Sequence, residues 1–272
     1  MTNNSEFKKR CLKIRKDILE IVRFGKRGHI ASAFSIVEIL VVLYDYILKV
    51  NPENLDWPER DRFILSKGHG CLGLYAILSD KGFFSPELWK GFCDFDGVLG
   101  GHPTKEKVPG VEASTGSLGH GLPIGVGFAL AAKMDKRKSR TFVILGDGEC
   151  NEGSVWEAAM GASNNRLDNL VVLVDYNKIQ ALSRLKDALP LGDLFTKFKA
   201  FDWNCIKVQD GHSFKSLIPS FKRKNKKGKP LAIIINTIKG KGIKEFENDP
   251  IWHARKLQGK EVEIGKMKLG IK

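Results

Sequence analysis

The sequence lacks any stretch able to cross a membrane as a helix. Spanning a bilayer takes about 18 to 20 consecutive apolar residues, and the longest runs here, such as Ile39 to Leu43, are core-sized. The start, MTNNSEFKKRCLKIRKD, has no apolar h-region, which argues against a secretory signal peptide. Cysteine is scarce. The five residues, at 11, 71, 93, 150 and 205, are odd in number and scattered, with no CxxC pair. That argues against a disulfide framework and against a zinc site. These absences lead us to expect a soluble, cytoplasmic protein. The phosphate loop GxxxxGK[ST] is also missing, as is GxGxxG in its proper context. Lys239-Gly240-Lys241-Gly242 does not supply it, because its Gly-Lys pair is followed by Gly, not Ser or Thr. Internal repeats, low-complexity blocks and linkers are absent. We expect one domain over 1–272, with a polar, basic tail from about residue 243 that wraps over the surface or onto a partner.

What is present is an ordinary globular composition, 42% hydrophobic and 28% charged, too apolar for a disordered chain. Lys and Arg number 45 against 31 Asp and Glu, so the net charge is 45 − 31 = +14. That excess suits nucleic acid, an anionic surface or phosphorylated small molecules. The dense basic run, Lys222 to Lys229, lacks the interleaved aromatics of a nucleic-acid groove and reads as a solvated helix end and loop.

Apolar periodicity over 7–22 predicts a helix ended by Gly25 and Gly28. Ser35-Ile36-Val37-Glu38 has the form of a capping box opening a second helix through about Leu48. Short strands are predicted at Arg62–Leu65, Thr141–Leu145, Asn169–Asp175, Cys205–Val208 and Leu231–Asn236. Helices are predicted at Leu72–Leu78, from Ser85-Pro86-Glu87, over 122–132, at Ser154–Asn164 and from a Ser213 cap. Continuous apolar strands alternating with helices predict an α/β fold, a doubly wound parallel sheet flanked by helices.

In such a sheet ligands bind beyond the carboxyl ends of the strands. Three polar or Gly-rich segments follow strands: 66–70 (SKGHG), 146–153 (GDGECNEG) and 175–180 (DYNKIQ). Asp147 and Asn177 lie just past two strands joined by one helix, which a right-handed crossover sets side by side. A carboxylate and a carboxamide oxygen then converge, a donor set that suits Mg²⁺ completed by phosphate and water. Gly146 and Gly148 allow backbone to approach an anion, and the helix from about Ser154 points its N-terminus at the same rim.

Five of the six histidines follow glycine, namely His29, His69, His102, His120 and His212. With 28 Gly among 272 residues, chance gives one such pair or none. Histidines on loops at one rim suit hydrogen bonding to hydroxyls or phosphates and proton transfer. His212, near a later helix cap, is expected to be structural. The long Gly-rich stretch 97–127 is too long for a simple connection and is expected to be functional.

Taken in order, the motifs Gly28-His29, DRFILSKGHG (61–70), GGHP (100–103), GVEASTGSLGHG (110–121), GDGECNEGSVWEAA (146–159), VDYNKIQ (174–180), DGH (210–212), KGKG (239–242) and Trp252-His253 cover nearly the whole chain. In them the sequence resembles the N-terminal half of transketolase, most closely the stand-alone N-terminal subunits of split transketolases. The resemblance implies thiamine diphosphate and Mg²⁺ as cofactors, with Ca²⁺ or Mn²⁺ as substitutes. It implies that Asp147 and Asn177 bind the metal by side chain and Ile179 by its carbonyl. Gly146 and Gly148 would border the diphosphate, with Glu149 of the same segment in the cofactor site. His69 and His253 would face the diphosphate or reacting centre, and Gly116, Ser117 and Leu118 would line the aminopyrimidine. His29, His69, His102 and His253 would form the catalytic set. Ketol transfer from a ketose or its phosphate to an aldose is the implied reaction. The family's pyrimidine-binding domain, with its Glu, is not found before Lys272. The resemblance therefore implies a C-terminal partner subunit that supplies it, and two copies of each half. Other readings are another thiamine enzyme half, such as a deoxyxylulose-phosphate synthase relative, and a non-catalytic remnant. The KGKG and Trp-His motifs favour transketolase over the first. Retention of both metal-binding side chains argues against the second.

Overall fold

The computed structural model describes residues 4–271 apart from 26, 182 and 224–227, so the centre of the basic run lies outside the described residues. Five strands pair in parallel: β1 (Arg62–Leu65), β2 (Thr141–Gly146), β3 (Leu170–Tyr176), β6 (Asn204–Val208) and β7 (Leu231–Asn236), in the order β1-β2-β3-β7-β6. The apolar runs of β2, β3 and β7 have no polar alternation because both faces are covered, whereas the edge strand β6 is less buried and exposes Lys207. Phe142, Ile144, Val171, Leu173, Ile233 and Ile235 enter one core. Val143, Leu145, Val172, Val174, Ala232 and Ile234 enter the other. The first core is capped by α1 (Asn4–Phe24), α2 (Ile30–Phe34), α3 (Val37–Val42), α4 (Cys71–Asp80), α9 (Phe214–Lys222) and α10 (Gly259–Leu269). The second is capped by α5 (Gly121–Met134), α6 (Gly153–Asn164) and α8 (Leu194–Ala200). A small antiparallel pair, β4 (Ile179–Gln180) and β5 (Ser183–Arg184), follows β3 and leads into α7 (Leu185–Ala188).

Two expectations are corrected. Ser35 does not cap a helix. The helical segment already begins at Ile30, Ser35 follows α2 in helical conformation, and α3 passes into a π-turn over Leu43–Ile47. Its hydroxyl instead reaches Asp175 Oδ2 at 2.7 Å, and Glu38 pairs with Arg15 at 2.8 Å. Ser213 stands at the N-cap of α9, yet its side chain makes no capping bond. The tail, expected to wrap over the surface or onto a partner, lies over its own chain. Phe246 and Trp252 are buried with rings 4.1 Å apart, and Val262, Gly265 and Leu269 of α10 are buried in contact with α1.

His212 is structural, as expected. Its Nε2 accepts from the Ile238 N–H at 2.8 Å, so Nδ1 carries the proton and donates to Glu38 at 2.9 Å.

Candidate active site

The carboxyl ends of β1, β2, β3 and β7 open on one rim, around a cavity of about 400 Å³ bordered by Lys67, His69, Asp147, Asn177, Lys239 and His253. Asp147 follows Gly146, which pairs in register with Asp175 of β3. The neighbouring strands thus bring the Asp147 and Asn177 turns together as the crossover argument requires. Asp147 is 2% exposed. Its Oδ1 accepts from Gly148 N at 2.8 Å and its Oδ2 from Lys178 N at 2.5 Å. Burial, and then the charge of Asp175, pushes its carboxyl up to about 6, so a cation placed there would be stabilising. Lys178 turns the chain with φ +68°, which returns Ile179 N–H to Asn177 Oδ1 at 3.1 Å. The Ile179 carbonyl accepts from Lys239 Nζ at 3.2 Å and keeps a second lone pair. Among the described residues no group of three or more His, Cys, Asp or Glu could hold a metal by itself. One carboxylate, one carboxamide and one carbonyl fit a hard cation that draws its other donors from phosphate and water.

Four imidazoles gather beside this turn. The His29 ring lies 5.5 Å from His69 and 5.9 Å from His102, tilted against both, and 5.3 Å from His253, edge-on, and His69 lies 5.2 Å from His253. Burial is the first cause holding all four below the ordinary histidine range. A proton on His102 and the charge of Lys239 would add to it at His29, held to about 4. Lys239 adds to it at His253, held to about 3. Lys67 does so at His69, and Arg27 at His102. At neutral pH the cluster is uncharged and offers both donors and acceptors. His120 stands apart on an exposed turn, its Nδ1 3.1 Å from Leu118 O and 3.3 Å from Ser117 Oγ.

The Gly-rich loop is seated by side chains. Thr115 Oγ1 donates to Leu65 O at 2.7 Å, and the Tyr75 hydroxyl lies 2.9 and 3.0 Å from the Gly100 and His102 carbonyls. Gly116 runs against the His102 ring, where a Cβ would come within 3.0 Å. Leu118 borders the cavity. Glu149 is 2% exposed and uses both oxygens on the protein. Oε1 accepts from Ser66 Oγ and from Gly119 N at 2.9 Å, and Oε2 from Gly146 N at 3.0 Å.

Sequence reasoning missed two site lysines. Lys67 and Lys239 are each 1% exposed. Lys67 pairs with Asp175 at 2.5 Å. Burial, and then the charge of Lys67, pushes Lys239 down to about 8. Their signal was position: each follows a strand that ends at the rim.

A buried cationic floor, neutral imidazoles and a cation turn together suit a diphosphate with its metal. Residues 8–272 match the transketolase thiamine diphosphate binding domain. The chain belongs to the transketolase family. It is 41% identical to an apulose-4-phosphate transketolase subunit of Actinobacillus succinogenes, over 95% of this chain and 94% of that one. It is also 41% identical to the 6-deoxy-6-sulfo-D-fructose transketolase subunit SqwG of a Clostridium species, over 90% of this chain and 89% of that one. Human transketolase is 38% identical over 85% of this chain, but only 36% of the human protein is covered. The solved transketolase of Campylobacter jejuni superposes with a TM-score of 0.92 at 28% identity, covering 99% of this chain and 43% of that one. This transketolase domain therefore spans less than half of the human and Campylobacter proteins and most of the two relatives named as subunits.

Proposed function

We propose that this chain is the thiamine diphosphate-binding subunit of a two-subunit transketolase, with residues 1–272 as a single domain. The observation that carries the reading is the meeting of the Asp147–Asn177 turn with four neutral imidazoles and Lys239 at one sheet rim. Asp147 and Asn177 by side chain, and Ile179 by its carbonyl, hold Mg²⁺, with Ca²⁺ or Mn²⁺ able to replace it. Lys239, His69 and His253 receive the diphosphate, and the backbone of Gly146 and Gly148 borders it. Glu149 shapes the site by tying Gly119 and Gly146 together. Gly116, Ser117 and Leu118 line the ring end. When bound, thiamine diphosphate supplies the carbon nucleophile and electron sink of ketol transfer.

The residues of this chain orient the sugar and handle protons. His29 and His102, neutral at pH 7, donate to or accept from the hydroxyls of a ketose or aldose. His253 Nδ1 accepts from Lys239 at 2.8 Å; its Nε2 therefore bears the proton, ready for an oxygen in the cavity. The excess of basic residues suits sugars carrying an anionic group. A partner subunit supplies the pyrimidine-binding domain and its Glu, two copies of each half assemble, and the complex works in the cytoplasm. Exposed Ile124 and Met134 of α5, with Met160 of α6, favour that layer as a docking face. No described helix is long and apolar enough to cross a membrane.

The test is to purify the tagged chain from its own cells and assay two-carbon transfer with and without the co-purifying subunit. Transfer that needs both subunits, thiamine diphosphate and Mg²⁺ is expected. Transfer by this chain alone, or a reconstituted pair with no cofactor-dependent transfer, contradicts the reading.

A further inference from the structure

Asp175 has no part in the roles above, yet it is fully buried directly beneath the site, at 0% exposure. It lies near the end of β3, in register with Gly146 on one side and Ile235 on the other. Four side chains from four segments converge on it. Ser35 Oγ at 2.7 Å, Lys67 Nζ at 2.5 Å and Asn177 Nδ2 at 3.0 Å all reach Oδ2, and the Thr237 hydroxyl reaches Oδ1. Those segments are the α2–α3 junction, at the other end of α2 from His29, and the turns after β1, β3 and β7, which also bear His69, the cation turn and Lys239.

The Asn177 contact has a chemical consequence. A carboxamide fits its pocket in two orientations that differ only in exchanging oxygen for NH₂. Here one end meets an acceptor, the Asp175 carboxylate, and the other end a donor, the Ile179 N–H at 3.1 Å. The reversed orientation would set oxygen against carboxylate and NH₂ against N–H. Both contacts repel, so one orientation is enforced.

We infer that Asp175 is a positioning residue of the cation site: by holding the NH₂ of Asn177 it presents the carboxamide oxygen to the cation beside Asp147. The inference rests on the cation role given to Asp147 and Asn177 above. An outer carboxylate that orients a ligand in this way typically changes metal affinity by about 10–100-fold when removed.

The test uses the assembled two-subunit enzyme at saturating thiamine diphosphate, with Mn²⁺ titrated and the free ion followed by electron paramagnetic resonance. Asp175→Asn is expected to raise the Mn²⁺ dissociation constant by about 10–100-fold, with far-ultraviolet circular dichroism unchanged. In an Asn177→Ala background the same substitution is expected to add little, because its effect passes through Asn177. If Asp175→Asn is not recovered folded, Ser35→Ala/Thr237→Val decides. It keeps the charge but removes two anchors of the carboxylate, and a several-fold weaker Mn²⁺ affinity is expected. Unchanged Mn²⁺ affinity in the folded Asp175→Asn variant, or in the double variant where that one is used, overturns the inference. So does an equal loss with and without Asn177. A wild-type enzyme that takes up no Mn²⁺ overturns the cation-site reading itself, and this inference with it.

Discussion

Lys239 Nζ lies 2.8 Å from His253 Nδ1, which makes the lysine the donor that sets the tautomer of the histidine. The same ammonium donates to the Ile179 carbonyl and has no carboxylate within ion-pair distance among the described residues. A buried charge with only neutral partners is destabilising until a counter-charge arrives. Lys239→Met keeps the length and apolar stem and removes that charge. We expect an unchanged or higher melting temperature together with at least about tenfold weaker thiamine diphosphate binding, the usual opposition between a strained site and stability. Calorimetric titration and thermal unfolding check both halves. A variant that loses stability and keeps its affinity would show that Lys239 serves the fold.

The imidazole cluster predicts a stability change on the acid side. Unfolded histidines titrate near 6.5, whereas His29 and His253 are held to about 4 and about 3, and His69 and His102 also lie low. Between those values the unfolded state binds more protons. The stability is therefore fully present above about pH 6.5 and is lost as pH falls toward 4. After a discount for solvent at the rim, His29 and His253 each account for a loss on the order of 1 kcal/mol at pH 5 relative to neutral pH. His29→Gln removes one of them. Its melting temperature is expected to drop by about 2–4 °C less than that of the wild type between pH 7.5 and pH 5. Parallel curves for the two proteins would contradict the assignment.

The strands were legible because a sheet covered on both faces requires unbroken apolar runs, and those runs can be read directly. Asp147 and Asn177 were legible because they follow two such runs, and the histidines because they follow glycine on loops. Lys67, Asp175 and Lys239 were not. A lone charged residue at a strand end usually faces water. Asp175 is instead buried against Ser35, Lys67 and Thr237, partners that lie 62 to 140 residues away along the chain. Ser35 was misread for a related reason: Ser-x-x-Glu specifies a capping box locally, but Asp175 and Arg15 outcompete the local partners. The tail concealed Phe246 and Trp252 because two aromatics in a basic stretch give no period to read.

Glu149 offers a test of loop coupling. Its carboxylate ties the end of β1, the Gly119 turn and the end of β2 through Ser66, Gly119 N–H and Gly146 N–H. In Glu149→Gln one acceptor oxygen is replaced by NH₂, which must then face a donor. The expected loss is about 1–3 kcal/mol. Hydrogen exchange at Gly119 should accelerate, and thiamine diphosphate affinity should fall with it. Unaltered exchange at Gly119 would mean that the turn is held by other contacts.

Gly240 makes the strongest demand on glycine near the site. Its φ is +80°, and an added Cβ would stand 2.1 Å from the Phe246 carbonyl oxygen and 2.6 Å from its carbon. Both atoms are backbone and cannot swing aside. Gly240 N–H also donates to Ala31 O at 3.0 Å, which fastens the turn to α2 close behind His29, and Asn248 N–H donates to the Lys239 carbonyl at 2.9 Å. Gly240→Ala therefore combines a left-handed backbone penalty with a clash that only a shift of the Lys239 turn can relieve. We expect a loss of more than about 2 kcal/mol and weaker cofactor binding. Gly259→Ala is the contrasting change. It opens α10, no atom lies within 4 Å of its Cβ position, and alanine suits a helix better than glycine by up to about 1 kcal/mol. Its melting temperature should equal or exceed that of the wild type. Thermal unfolding of the two variants side by side separates a site-specific demand at Gly240 from a general sensitivity to replacing glycine, because the second would lower both.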